Sequence, residues 1–264
     1  MPLKQHLKYI LQRAGLLGIT RSIIYWVTKF DANTTHPQRL MYRFYSQFIK
    51  KGDLCFDIGA NIGSKTMVLL ELGAKVICVE PQKDCLDKLR RSFSRNKNIV
   101  IIAKGVASSE GVLNIFLCKD APAFSTMSER FKNNSVFAKE DGYRWTETEK
   151  TSVTTLDLLI SQYGIPAFCK IDVEGFEEIV LEGLTKPLPL LSFEFNAGFF
   201  EDIRRCVNRL LSIGDYKFNF GIAETTSGRG MELPEWVCPD TLYKELNILI
   251  EKDPRLWGDI YAKV

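Results

Sequence analysis

Residues 53–81 read DLCFDIGANIGSKTMVLLELGAKVICVEP. An apolar run, 53–59, meets glycines and an asparagine; residues 64–73 then carry apolar side chains at helical spacing and stop at Gly73; residues 74–80 are apolar again and end on Glu80. This is strand, turn, helix, strand, with strands too uniformly apolar to keep a wet face, the pattern of a parallel sheet covered on both sides. In such sheets ligands bind at the carboxyl ends of the strands, near the point where strand order reverses. Gly59 and Gly63 let the main chain turn tightly there and approach a ligand, and Asp57, in the last residues of the strand, can orient the loop or meet a cation.

The rhythm continues outward. Residues 82–96 read as a charged helix, 98–107 as a third strand and 111–118 as a further one. Residues 119–150 are polar, dotted with aromatics and without period, a length of loop that a compact domain usually keeps for function. A helix is expected over 154–164, with Thr154 as N-cap and Asp157 three positions on in capping-box fashion. Then follow a strand (166–175), a helix ending at Gly183, a strand (188–196) and an amphipathic helix (199–214) with Phe199, Ile203, Val207, Leu210 and Leu211 on one side. Residues 216–224 and 258–264 alternate like half-buried strands, and the insertion 224–256 between them is rich in Gly, Pro and aromatics.

With 264 residues, 45% hydrophobic and 25% charged, the chain is composed like an ordinary globular protein and can bury about 70–75% of its unfolded surface. Its seven cysteines are odd in number, scattered and never in C-x-x-C, so they read as reduced core thiols of a cytoplasmic protein. The histidines, His6 and His36, both precede the strands, which disfavours a zinc site or a His-based triad in the core. Residues 1–30 hold Lys4, Lys8, Arg13, Arg21 and Lys29 and no acid, whereas the other 234 residues carry 30 basic and 32 acidic side chains. That near-neutral balance argues against a nucleic-acid partner. Two readings stand for residues 1–30: an amphipathic segment on an anionic membrane surface, or, preferred, a helix packed on the domain. The expected organisation is a basic helical extension, 1–48, and one catalytic domain, 49–264, with 119–150 and 224–256 as substrate loops.

The ligand follows from what the turn lacks. Glu80, 17 residues past Gly63, sits where an acid accepts hydrogen bonds from adenosine ribose hydroxyls. A dinucleotide fingerprint needs glycine at 59, 61 and 64, but Asn61 and Ser64 stand there, and no P-loop pattern occurs. The D-x-G-x-x-x-G of Asp57, Gly59 and Gly63 suits S-adenosylmethionine better. Downstream, KIDVEGFE (170–177) puts Lys170 and Asp172 on one strand face, with Asp172 at the carboxyl edge beside the expected methyl, and Glu174 and Gly175 where the chain turns into a helix. Glu177 is read as an acid at that helix's N-terminus. In SFEFN (192–196), Glu194 and Asn196 reach the next carboxyl edge. An acid inside an apolar strand needs a partner, and for Glu194 pairing with Lys170 and facing substrate stay open together.

FDIGANIGSKTMVLLELGAKVICVEP, VTTLDLLI, CKIDVEGFEEIVLEG, LSFEFN and the closing GDIYAKV together resemble the FkbM family of S-adenosylmethionine-dependent methyltransferases over residues 50–220 and the last strand. The resemblance implies an α/β, Rossmann-like seven-stranded sheet, mostly parallel with an antiparallel last strand. It also implies that Asp57, Gly59, Asn61 and Gly63 line the methionine end, that Glu80 holds the ribose, and that residues 104–107, Gly105 and Val106 among them, border the adenine. Such enzymes commonly methylate hydroxyls, often on sugars or polyketide-type products.

An alcohol acceptor must lose its proton, and without a core histidine the base falls to Asp172, with Glu194, Glu174 and Lys170 as further catalytic candidates. A variant has Asp172, Glu194 and Asn196 holding a magnesium-like cation, testable by chelation. The competing readings are a nicotinamide-dependent oxidoreductase and a non-catalytic cofactor-binding module. N-P-P-Y, expected for methylation of base amino groups, is replaced by KIDVEG. The acceptor expected is a small molecule or glycan, and residues 1–30 permit a lipid-linked one at a membrane surface.

Overall fold

The computed structural model describes residues 35–135, 139, 142–222 and 230–264. Both readings of residues 1–30 fall outside them. No helix among the described residues is long and apolar enough to cross a membrane.

In chain order the elements are α1 (Thr35–Tyr45), β1 (Leu54–Ile58), α2 (Ser64–Glu71), β2 (Lys75–Val79), α3 (Lys83–Phe93), β3 (Ile99–Ile102), β4 (Gly105–Val106) and β5 (Gly111–Leu117). After them come α4 (Glu129–Asn134), β6 (Glu147–Thr154), α5 (Leu156–Tyr163), β7 (Phe168–Ile171), α6 (Glu177–Glu182), β8 (Leu190–Asn196), α7 (Phe200–Ile213), β9 (Lys217–Ile222), α8 (Pro239–Lys252) and β10 (Trp257–Lys263).

Seven strands form one sheet in the order β3-β2-β1-β7-β8-β10-β9. β1 lies parallel between β2 and β7, so the chain winds outward from β1 in one direction and later returns to build the other half from β7. The switch point lies between β1 and β7. β10 runs antiparallel to both β8 and β9, the reversed last strand that the sequence led us to expect.

Two apolar layers sandwich the sheet. On one face Phe56, Ile171, Leu191, Phe193 and Ile260 pack with Val180, Leu181, Val207 and Leu210 of α6 and α7 and with Leu242 and Leu246 of α8. On the other, Cys55, Val76, Cys78 and Phe168 meet Val68 and Leu69 of α2 and Met41, Phe44 and Tyr45 of α1. Each such fully buried aliphatic or aromatic side chain contributes about 1.5–3 kcal/mol relative to exposure. Tyr45 lies against Phe168 and Phe44 against Tyr261, so α1 is seated on the sheet.

The structure corrects several local expectations. Residues 98–107 are two strands: β3 belongs to the main sheet, while β4 joins β6 and β5 in a separate three-stranded sheet that also takes 111–118 out of the main one. The loop expected at 119–150 contains α4 and half of β6. Helix α5 is capped by Thr155, whose side chain accepts from the Leu158 N–H at 3.1 Å; Thr154 ends β6, and Asp157 accepts instead from the N–H and hydroxyl of Thr185. Cys206 takes the buried place assigned to Leu211, which is exposed. β9 and β10 are buried on both faces rather than half-buried, and the 224–256 insertion holds the 14-residue α8. All seven cysteines are free thiols, and Cys238 alone is exposed.

Candidate active site

The glycine turn after β1 is main chain packed on main chain. Gly59 has φ +78°, and a Cβ there would lie 1.8 Å from the carbonyl oxygen of Asp172. The turns leaving β1 and β7 therefore touch at the switch point, and only glycine permits it. The N–H groups of Gly59 and Ala60 both donate to the Val79 carbonyl, at 2.9 and 3.1 Å. Gly63, also at positive φ, makes room for Phe93 and Leu89 of α3, so its lack of a side chain serves helix packing rather than close approach to a ligand. Asp57 is buried and accepts from the Thr66 hydroxyl at 2.5 Å, which fixes α2 against β1. Burial pushes its carboxyl up, while that hydrogen bond and the charges of Lys170 and Lys65 pull it down. Of its two expected roles, orienting the loop is the one with visible geometry.

Glu80 leaves β2 toward the same turn. Its two carboxylate oxygens accept from the N–H of Asn61 and the N–H of Gln82, each at 2.8 Å, and it is almost wholly buried. Burial pushes the carboxyl up to about 7 against these bonds. Asn61, in the left-handed region at φ 51°, also accepts from the Cys85 thiol at 3.4 Å. Val106 does not offer its side chain to a ligand, because it is committed to the core with Leu156 and Val180. Gly105 lies beneath Met127, whose Cε and Sδ a Cβ would meet at 3.0 Å.

Across the switch point the rim is charged. Lys170, 1% exposed, donates to Asp172 Oδ2 at 3.0 Å and to Asp259 Oδ1 at 2.9 Å. Of the two roles left open for Glu194, pairing with Lys170 is not seen, since it takes neither of these contacts. Asp172 is held below the usual carboxylate range: burial would raise it, but Lys170 and Lys65 lower it more, helped by hydrogen bonds from Lys170 and Glu194. Glu194 goes the other way, pushed well up by burial and by the negative charges of Glu174, Asp172 and Glu177. Of these two neighbouring carboxyl groups, Asp172 is thus biased toward the anion and Glu194 toward the acid.

Carboxylate oxygens of Asp172, Glu174 and Glu194 lie within 4.8 Å of one another, close enough to face one small ligand. Asn196 is not of this group; its Oδ1 accepts from the Gly198 N–H at 3.1 Å and starts a short 3-10 turn. Glu174 is at φ 55° and Gly175 at φ 82°, two successive left-handed residues. Glu177 is buried rather than decorating its helix, and its Oε1 accepts from the N–H groups of Val173 and Gly175, which holds that turn. Burial pushes Glu177 up to about 7.

The segment expected as an irregular loop roofs these acids. The Thr126 hydroxyl donates to the Glu174 carbonyl at 2.7 Å, Arg130 pairs with Asp202, and Phe131 packs on Gly175 and stacks on Phe199 with ring centres 5.8 Å apart. A small cavity beneath is lined by Phe131, Glu194, Asn196 and Phe199. Asp259, Lys65, Thr126 and Phe131 were missed from the sequence. For Asp259 a signal existed: GDIYAKV carries an acid inside an apolar strand, the same anomaly that drew attention to Glu194.

Comparison with known proteins gives one family match and several more distant likenesses. Residues 57–212 match the methyltransferase FkbM domain. A curated relative, the hexuronic acid methyltransferase AglP of Haloferax volcanii, is 28% identical over 156 residues, which are 56% of this chain. The aligned region spans 58% of that relative's length. Among solved structures, an O-methyltransferase from Bacillus cereus in complex with SAH aligns over 97% of this chain and 96% of its own, at TM-score 0.45 and 12% identity. A precorrin-6y C5,15-methyltransferase from Geobacter metallireducens aligns over 85% and 86%, at TM-score 0.44 and 11% identity. The matched span runs from the last residues of β1 through Glu80, the turn after β7 and the rim of β8 to α7, more than half of the chain, and on that match the chain belongs to the FkbM methyltransferase family.

Proposed function

We propose that this chain is an S-adenosylmethionine-dependent O-methyltransferase acting on a hydroxyl of a sugar or glycoconjugate. The observation that carries the reading is the Asp172 carboxylate at the switch point, paired with the buried Lys170 at 3.0 Å and sharing the rim with Glu174 and Glu194, the carboxylate oxygens of all three lying within 4.8 Å of one another. Family membership and the hexuronic acid methyltransferase relative support the donor and the acceptor class.

The residues present fit the donor's chemistry. Each Glu80 oxygen accepts one backbone N–H and keeps capacity for a second hydrogen bond, as two ribose hydroxyls require. When bound, S-adenosylmethionine supplies an electrophilic methyl group on a sulfonium. The chain's own work is to hold the acceptor in line and to take its proton. Asp172 is a weak base at its lowered pKa, but a hydroxyl becomes strongly acidic as its oxygen gains a bond to carbon, so position counts for more than basicity. Glu194, pushed well up by burial and the neighbouring acids, can donate a hydrogen bond to an acceptor oxygen when protonated. Trp145, half-buried beside Phe131 in the roof, offers the kind of aromatic surface that sugar rings favour. In this reading residues 119–150 and 224–256 choose the acceptor.

Calorimetric titration with S-adenosylhomocysteine tests the donor, and a labelled methyl-transfer screen over nucleotide sugars and glycolipids tests the acceptor. Asp172→Asn is expected to lower turnover at least about 100-fold while changing S-adenosylhomocysteine affinity by less than about threefold. Full activity is expected in EDTA. Tight NAD binding with no binding of S-adenosylhomocysteine would sink the reading.

A further inference from the structure

The reversed strand β10 brings one acid to the rim that no local motif announces. Asp259 stands opposite Glu194 in the β8–β10 register, is 2% exposed, and places Oδ1 on the Lys170 ammonium, whose next donor goes to Asp172. Its other oxygen, Oδ2, is buried without a hydrogen-bond partner among the described residues. A buried carboxylate left half satisfied costs stability, and apolar residues of similar volume usually serve a core at least as well as a buried ion pair. For fold alone, Asp259 and Lys170 are therefore a poor choice.

We propose that Asp259 is a positioning residue of the candidate active site: it anchors the Lys170 ammonium and shares its charge, so that Asp172 is held in one orientation without being fully neutralised. Without Asp259, the whole ammonium would fall to Asp172 and bind it as a closed ion pair, less able to accept a proton. The effect on turnover rests on the methyltransferase reading; the charge sharing does not. The groups facing this network from each packed element are Lys65 on α2, Asp57 on β1, Glu174 and Glu177 around the turn into α6, Glu194 on β8 and Tyr45 on α1.

Three measurements on the full chain decide it. Calorimetry with S-adenosylhomocysteine comes first, and failure of the wild-type chain to bind would defeat the methyltransferase reading while leaving the rest of the test intact. Carboxyl carbon-13 titration needs no acceptor: removing one anion by Asp259→Asn is expected to move the Glu194 midpoint down by about one pH unit, and an unmoved midpoint overturns the proposal. With an acceptor in hand, Asp259→Asn is expected to lower kcat about 10- to 100-fold per cofactor-binding site. In a Lys170→Met background the same change is expected to do nothing further, since Asp259 acts through Lys170. Additive losses, or a loss seen only in melting temperature, would mean a merely structural role. If Asp259→Asn does not fold, the double variant Lys170→Met/Asp259→Leu replaces the pair by apolar volume; wild-type kcat in that folded, cofactor-binding protein would equally overturn the proposal.

Discussion

On the β1–β2 side of the switch point the rim is held by main chain: glycines at positive φ, N–H groups of Gly59 and Ala60 on the Val79 carbonyl, and N–H groups of Asn61 and Gln82 on Glu80. On the β7–β8–β10 side it is held by side-chain charge, with a buried lysine between two aspartates and, beside them, a glutamate pushed well up by burial and its acidic neighbours. The first construction makes a fixed cradle of one shape. The second makes a cluster of coupled charges whose state depends on pH and on every neighbouring charge. A donor that never varies and an acceptor hydroxyl that must lose a proton would call for these two kinds of wall.

The largest effect is expected where the two sides touch. Gly59→Ala forces a Cβ to 1.8 Å from the Asp172 carbonyl oxygen at a backbone angle alanine rarely adopts. We expect a loss on the order of 4 kcal/mol or an insoluble chain. Gly52→Ala is the control: it has a similar φ of +93° and nothing within 4 Å of its Cβ, so only the backbone strain of about 1–2 kcal/mol remains. Equal denaturant midpoints for the two variants would show that the turns do not bear on each other.

A second test addresses the charged side alone. Glu177 has an ordinary value of 4.5 that burial raises to about 7. Between those values the folded chain keeps a proton that the unfolded chain has released. Stability from this group is therefore full below pH 4.5 and falls as pH rises through 7, by up to about 3 kcal/mol. Denaturant unfolding at pH 5.5 and pH 8 should show the fall, and Glu177→Gln, which keeps the acceptor for Val173 and Gly175, should flatten part of it. A variant with the wild-type slope would mean that Glu177 is not the group titrating.

The same division explains what the sequence made legible. The turn after β1 was readable because its parts are consecutive: Asp57, Gly59, Asn61 and Glu80 fall within one strand–helix–strand unit, where local periodicity and turn chemistry apply, whereas Gly63, read as a ligand glycine, packs against α3. The charged wall was readable only in halves. KIDVEG and SFEFN announced acids at strand ends, but Lys170 and Asp259 are 89 positions apart, and only the antiparallel insertion of β10 between β8 and β9 brings them together. Local pattern could as well have paired Lys170 with Glu194. β6 was missed because ETEKTSVT exposes most of its side chains and carries no apolar alternation. Leu211 was put inside because a helix pattern prefers leucine, whereas the smaller Cys206 fills that face. Secondary structure followed from neighbours in sequence, and errors gathered where partners in space decide.

The smallest expected effect tests the cradle itself. Glu80 sits at about 7 with burial opposing two backbone hydrogen bonds. If ribose hydroxyls donate to it, they favour the ionised form, so its pKa falls on binding and a proton leaves the protein. At pH 7 the release should approach about half a proton per site, and it should vanish well above that pH, where Glu80 is already ionised. Calorimetric titration with S-adenosylhomocysteine in phosphate and in Tris reads this directly, because the observed enthalpy shifts with the heat of ionisation of the buffer. Glu80→Gln should remove the buffer dependence and weaken binding about tenfold, the scale of one charge-assisted hydrogen bond. Equal enthalpies in the two buffers for the wild-type chain would place the ribose elsewhere on the rim and leave Glu80 as a clamp for the turn at Asn61.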